Sequence, residues 1–220
     1  MCHLRLRIIK FRLYFLKMSL VLIILIITIF ISWQAFQNTH LQERLLFIPY
    51  NVKRNQEYYR LISHIFIHAD ITHLAFNMLS LYSLGSMFEQ QLNFEYGVAI
   101  GSIHFLILYL LGGLSAALVI YLRNQNNPTY RSLGASGAVS AVIFASIIWN
   151  PNMSLMFMFI PIPIPAFLFG PIYLLIEFFA LRRGGTGIAH DAHIGGALFG
   201  IIYVLILNIE KGKQFFDLIF

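Results

Sequence analysis

The stretch "RSLGASGAVSAVIFA", Arg131 to Ala145, turns from polar and glycine residues to an uninterrupted apolar run, and Ser136 stands at the turn between Gly134 and Gly137. A serine there has a bland reading as a helix N-cap, its oxygen accepting from the orphan amides of the first turn. The other reading is a hydroxyl kept inside an apolar environment for chemistry. The residues around it separate the two.

Of the 220 residues, 59% are hydrophobic and 11% are charged, against about 25% charged in an average soluble chain. An ordinary water-soluble domain is excluded, and the chain reads as an all-α integral membrane protein. Six runs approach the roughly 20 residues needed to cross a bilayer: Met18 to Phe36, Ile71 to Phe88, Tyr96 to Leu122, Leu133 to Trp149, Pro165 to Leu181 and Ala192 to Ile209. They are read as helices because lipid offers the backbone no hydrogen-bond partner and the runs are too long for barrel strands. The net charge of +6 does not point to nucleic acid. Arg5, Arg7, Lys10, Arg12 and Lys17 crowd the first seventeen positions with no acidic residue among them, a pattern suited to anionic lipid. Residues 1–17 are therefore a basic leader, and 18–220 a single transmembrane domain. No small-x-small site follows the first run, so it reads as an uncleaved span. The lone Cys2 can form no intramolecular disulfide.

Between the first two spans, residues 37–70 mix charges and aromatics, which predicts a structured interfacial loop. The segment "MSLMFMFIPIPIPA", Met153 to Ala166, carries proline on alternate positions and predicts extended backbone. With the leader in the cytoplasm, the second, fourth and sixth spans all begin at the outer face. Each of those three heads is polar: "HADITHLAFN", "LGASGA" and "HDAHIGGALFG". Polar groups inside a span are costly and usually face a cavity or a site. Leu133 to Trp149 spans about 25 Å at 1.5 Å per residue, short of the roughly 30 Å core, so Ser136 is expected below the outer surface.

His193 is the candidate base, since an imidazole within reach can take the proton from a hydroxyl too weakly acidic to attack alone. The contact requires two helices to approach closely. Gly137, Ala141 and Ala145 on the fourth span, and Gly196 and Gly200 on the sixth, have the i, i+4 spacing of small residues that permits it. His73 and Asn77 share one face of the second span. They read either as an interhelical hydrogen bond or as donors to a developing oxyanion, joined by the Ser136 amide. Asp191 is two residues from His193 and does not share its face. His104 is expected to bond a neighbouring helix, while Glu177 on the fifth span has two open readings, tuning that helix or reaching the interface.

These motifs resemble the rhomboid intramembrane serine proteases. The resemblance rests on "GASG" (Gly134 to Gly137), on "AHIGGALFG" (Ala192 to Gly200), and on "HIFIHADITHLAFN", where His64, His68, His73 and Asn77 fall at the family's spacing. It implies a six-transmembrane-helix bundle, with Ser136 as nucleophile and His193 as general base in a dyad without an acid. It also implies an oxyanion hole of His73, Asn77 and the Ser136 amide. No cofactor and no metal are implied. The implied substrates are membrane proteins whose spanning segments are cut near the outer face of the bilayer. The layout is similar to the basic bacterial form, of Bacteroidetes type, which implies the bacterial inner membrane with a cytoplasmic N-terminus. In "YYRLISH", Tyr59 stands where the family carries Trp, and Arg60 is retained. Ser140 stands where many members carry an aromatic ring packed on the histidine. Two rival readings are a histidine metal or haem centre, drawing on His64, His68, His73, His190 and His193 without any H-E-x-x-H, and an inactive relative that binds membrane proteins.

Overall fold

The structure, a computed structural model, describes residues 19–157 and 160–219. The basic leader lies outside the described residues. The first span folds as α1 (Leu20–Gln37), and its start is closed by a residue distant in sequence. The amides of Leu20 and Val21 donate to the Glu89 carboxylate at 2.8 and 3.3 Å, and the Ser19 hydroxyl joins them. Two of the amides that a helix start leaves orphaned are thereby satisfied. Glu89 is 2% exposed and also accepts from Ser102 Oγ at 3.2 Å.

That anchor corrects the expected end of the second span at Phe88. The helix runs on as α5 (Ile71–Ser80), a π-helical turn Leu81–Gly85, and α6 (Ser86–Tyr96), and stops where Gly97 takes φ +81°. Glu89 follows the apolar run in sequence, yet it sits inside the fold because the α1 amides need an acceptor. The first loop folds into α2 (Thr39–Leu45), α3 (Pro49–Asn55), and α4 (Arg60–Ser63) with a 3₁₀ turn His64–Phe66. Arg60 is 6% exposed and holds this loop together. Its Nη1 donates to the carbonyls of Glu43 (2.9 Å) and Leu46 (2.7 Å), and its Nε to Glu57.

The remaining spans are α7 (Val98–Asn124), α8 (Ser136–Trp149), α9 (Ala166–Arg183) and α10 (His190–Leu207). Apart from the second span, the expected limits lie within three residues of these helices. Between α8 and α9 the alternate prolines form an antiparallel hairpin of β1 (Ser154–Phe157) and β2 (Ile160–Pro165). Prolines at 161, 163 and 165 share one parity, so their missing amides fall on the edge away from the partner strand. A final helix, α11 (Ile209–Ile219), follows Asn208; the sequence reading does not anticipate it. His104 Nδ1 meets Tyr203 Oη of α10 at 2.8 Å, the interhelical bond expected of it.

Three helices among the described residues, α1, α7 and α10, are long and apolar enough to cross a membrane by length and composition. The 14-residue α8 is shorter, about 21 Å at 1.5 Å per residue, but it is the axis of the bundle, buried from Gly137 to Val142 and from Phe144 to Trp149. Small residues bring its neighbours onto it. A Cβ at Gly196 would fall on the Gly137 carbonyl oxygen, and one at Gly200 on the Ala141 carbonyl oxygen. A Cβ at Gly137 would meet Ala116 of α7. The chain is thus a mostly helical, multi-span membrane bundle whose tightest seam joins α8 to α10.

Candidate active site

Ser136 does not cap its helix. The α8 helix begins at Ser136 itself, Ala135 holds the N-cap position, and no side chain caps the turn. The bland reading therefore fails, and the hydroxyl is left for another role. By the geometry of a helix start, the Ser136 and Gly137 amides have no intrahelical partner.

The segment that delivers Ser136 is fastened to the first loop. Phe47 and Ser132 exchange backbone hydrogen bonds of 2.9 and 3.1 Å, and Gly134 N donates to His64 O at 3.0 Å. Ala135 N reaches His68 Nε2 at 3.4 Å. Gly134 has φ +115°, and a Cβ there would lie 2.7 Å from His73 Cε1. Backbone conformation and space both require glycine.

The histidines divide into two groups. His68 accepts at Nε2, so Nδ1 carries its proton and donates to Ser32 Oγ at 2.9 Å; that hydroxyl donates to Phe66 O at 3.0 Å. His64 Nδ1 donates to Arg60 O at 2.9 Å. Both rings thus fasten the loop, with both nitrogens of His68 and Nδ1 of His64 engaged. Burial pushes the His64 pKa down to about 4 and that of His68 to about 3, the neighbouring His73 adding to the latter.

His73 and Asn77 stand together at the head of α5. The Asp70 carboxylate caps that helix by accepting from His73 N at 2.7 Å. Ala69 N approaches His73 Nδ1 at 3.5 Å, which leaves Nε2 to carry the ring proton beside Gly134. Asn77 Nδ2 donates one hydrogen to His73 O at 3.0 Å and retains a second.

At the head of α10, His193 Nδ1 lies 2.9 Å from Glu177 Oε1, and His190 Nδ1 lies 2.5 Å from Glu177 Oε2. Glu177 is 7% exposed and His190 is 8% exposed. The sequence reading gave His193 no acidic partner and missed this carboxylate as part of the site. A lone carboxylate within an apolar span was the available signal, but nothing in one-dimensional spacing links α9 to α10. Asp191 faces elsewhere, 3.5 Å from Arg123 Nε.

Ser136, His193, His73, Asn77 and Tyr173 line one cavity of about 1410 Å³. No hydrogen bond joins Ser136 Oγ to His193 among the described residues, as is common before substrate tightens such contacts. A smaller cavity of about 610 Å³ at the opposite end of α8, beside Trp149 and Lys211, holds no serine–histidine pair.

Fold and cavity together define a helical integral membrane protein with a serine at one helix head and histidines at two others, all facing one chamber. Residues 55–209 match the family model of the Rhomboid domain, and the chain belongs to the rhomboid family. It is 30% identical over 159 residues to the rhomboid protease GluP of Bacillus subtilis, covering 72% of this chain and 28% of that protein. It is 27% identical over 194 residues to RHOMBOID-like protein 12, mitochondrial, of Arabidopsis thaliana, covering 84% and 56% respectively. The rhomboid protease AarA of Providencia stuartii is 27% identical over 183 residues, covering 71% and 60%. The chain thus spans under two thirds of each of these relatives.

Proposed function

We propose that this chain is an intramembrane serine endopeptidase of six crossings (α1, α5 with α6, α7, α8, α9 and α10), set in a bacterial inner membrane with its N-terminus in the cytoplasm. Ser136 Oγ attacks a substrate carbonyl while His193 Nε2 takes the hydroxyl proton. The same imidazole then returns that proton to the leaving amine, and water hydrolyses the acyl-enzyme. His73 Nε2, the second Asn77 hydrogen and the Ser136 amide donate to the oxyanion as it develops. No metal or cofactor takes part in these steps.

The observation that carries the reading is the meeting of three polar helix heads on one cavity, with Ser136, His193, His73 and Asn77 all in its wall. Water needed for hydrolysis fits a chamber of that size. The substrates are membrane proteins, and because an intact helix hides its carbonyls in hydrogen bonds, the spanning segment unwinds locally before attack. The chain co-reconstituted in liposomes with a model spanning segment bearing small residues near its outer end is expected to cut it there, and Ser136→Ala is expected to abolish the cut. Cleavage that survives in Ser136→Ala contradicts the proposal.

A further inference from the structure

The sequence leaves open what orients His193, because Ser140 offers no ring to pack on it. We infer that Glu177 is the positioning residue for His193, and that His190 holds Glu177 in place; the inference rests on the Ser136–His193 reading above. An ionised carboxylate can only accept hydrogen bonds. Glu177 Oε1, 2.9 Å from His193 Nδ1, therefore fixes the ring proton on Nδ1 and leaves the Nε2 lone pair for the serine proton. The opposite tautomer has no base to offer.

The carboxylate is itself held. Its second oxygen takes His190 Nδ1 at 2.5 Å, His190 Nε2 meets Thr186 Oγ1 at 2.8 Å, and Thr186 Oγ1 accepts from Ile188 N at 3.3 Å. This chain ties the end of α9 to the loop leading into α10, so neither Glu177 nor His193 is free to choose another rotamer. Around Glu177, α9 presents Ile176, Phe178 and Phe179 outward, each more than 40% exposed. A carboxylate turned inward on such a helix needs partners, and the two imidazoles supply them.

Tyr173, one turn before Glu177 on the same face of α9, places its hydroxyl 3.5 Å from Ser140 Oγ. The small residue at 140 leaves space that an α9 ring enters. When His193 accepts the serine proton, the resulting imidazolium sits against a carboxylate in a poorly screened pocket, which stabilises the charged intermediate. Glu177 thus acts at two stages, setting the tautomer before attack and steadying the cation after it.

The ligand atoms of Glu177, His190 and His193 also lie within 4.8 Å of one another, a set able to hold a divalent ion. Both carboxylate–imidazole contacts are at hydrogen-bond length, which favours protons between them.

The test is the reaction of the purified full chain with a fluorophosphonate, resolving the limiting rate constant from the concentration at half-saturation, alongside the thermal midpoint. Glu177→Gln conserves volume but turns one acceptor oxygen into a donor amide and removes the charge. It is expected to lower the limiting rate by up to roughly 10⁴-fold, by analogy with neutralising the acid of other serine–histidine sites, with half-saturation and thermal midpoint near wild type. Glu177→Ala is expected to be slower still. A Glu177→Gln protein reacting at the wild-type rate overturns the role of Glu177 and leaves the protease reading standing. If Glu177→Gln does not fold, His190→Ala is read instead; it releases the carboxylate while keeping Oε1 available to His193, and is expected to slow the limiting rate about tenfold. A wild-type rate in that variant overturns the inference. Wild-type reactivity lost to dipicolinate and restored by zinc would place an ion among the three side chains and overturn the hydrogen-bonded reading. A wild type that never reacts at Ser136 defeats both this inference and the proposed activity.

Discussion

Gly196 of α10 rests on the carbonyl of Gly137, the residue after Ser136, with no space for a Cβ between them. Four residues on, Gly200 repeats the contact on Ala141. The two backbones therefore touch along one turn, and this seam sets the distance between the helix heads that carry Ser136 and His193. Gly196→Ala should force α8 and α10 apart. Overpacking of this kind costs about 1–3 kcal/mol, so the variant is expected to melt earlier in detergent and to lose probe reactivity. A Gly196→Ala protein with wild-type midpoint and reactivity would show that the seam does not set the site.

In the proposed mechanism, Asn77→Ala and His73→Ala each remove one oxyanion donor. Each is expected to lower kcat by roughly 10² to 10³ while KM moves little, the effect measured for single donors elsewhere. Steady-state cleavage of the model spanning segment reads this. Unaltered kcat in Asn77→Ala would remove that residue from the hole and leave it as a helix-stabilising amide.

Arg60 donates to the carbonyls of Glu43 and Leu46 and to Glu57, a fork that an ammonium cannot reproduce. The Arg60 guanidinium also holds the Glu57 carboxyl below its usual range, its hydrogen bond being the largest influence. Arg60→Lys is expected to lower stability by about 2 kcal/mol, the scale of lost hydrogen bonds to a charged group. Differential scanning of the detergent-solubilised protein checks it, and an unshifted midpoint would contradict the anchoring role.

Acid should loosen the same loop. His64 and His68 stay neutral in the fold down to about 4 and about 3, whereas unfolded histidine takes up its proton near 6.5. Between those values the unfolded chain binds more protons, so stability is full above about pH 6.5 and falls as the pH drops toward 3. Glu57, with a lowered pKa, pushes the same way in the acid range. The thermal midpoint at pH 5 is expected to lie below that at pH 7.5, and a higher value at pH 5 would refute the assignment of neutral loop histidines.

The helices and the serine, glycine and histidine positions were legible because membrane crossing imposes long apolar runs and polar interruptions stand out against them. Parity of the span heads goes further, since alternate spans must start at the same face, and it places the heads of α5, α8 and α10 at one end. Two buried carboxylates were harder to read. The apolar run ends at Phe88, and nothing in the sequence draws Glu89 inward, because its partners, the α1 amides, carry no side-chain signature. Glu177 was visible as an anomaly, but its bond to His193 crosses from α9 to α10 and depends on packing. The helix α11 went unread because its mixture of charges and aromatics lacks the apolar run used to find the others.

The central claim is that Ser136 is a nucleophile activated inside the bundle, and the direct measurement is site mapping of a fluorophosphonate adduct by mass spectrometry on the detergent-solubilised chain. One adduct is expected, on Ser136, absent in Ser136→Ala and strongly reduced in His193→Ala. An adduct on another residue, or none under conditions where an active rhomboid protease reacts fully, would contradict it.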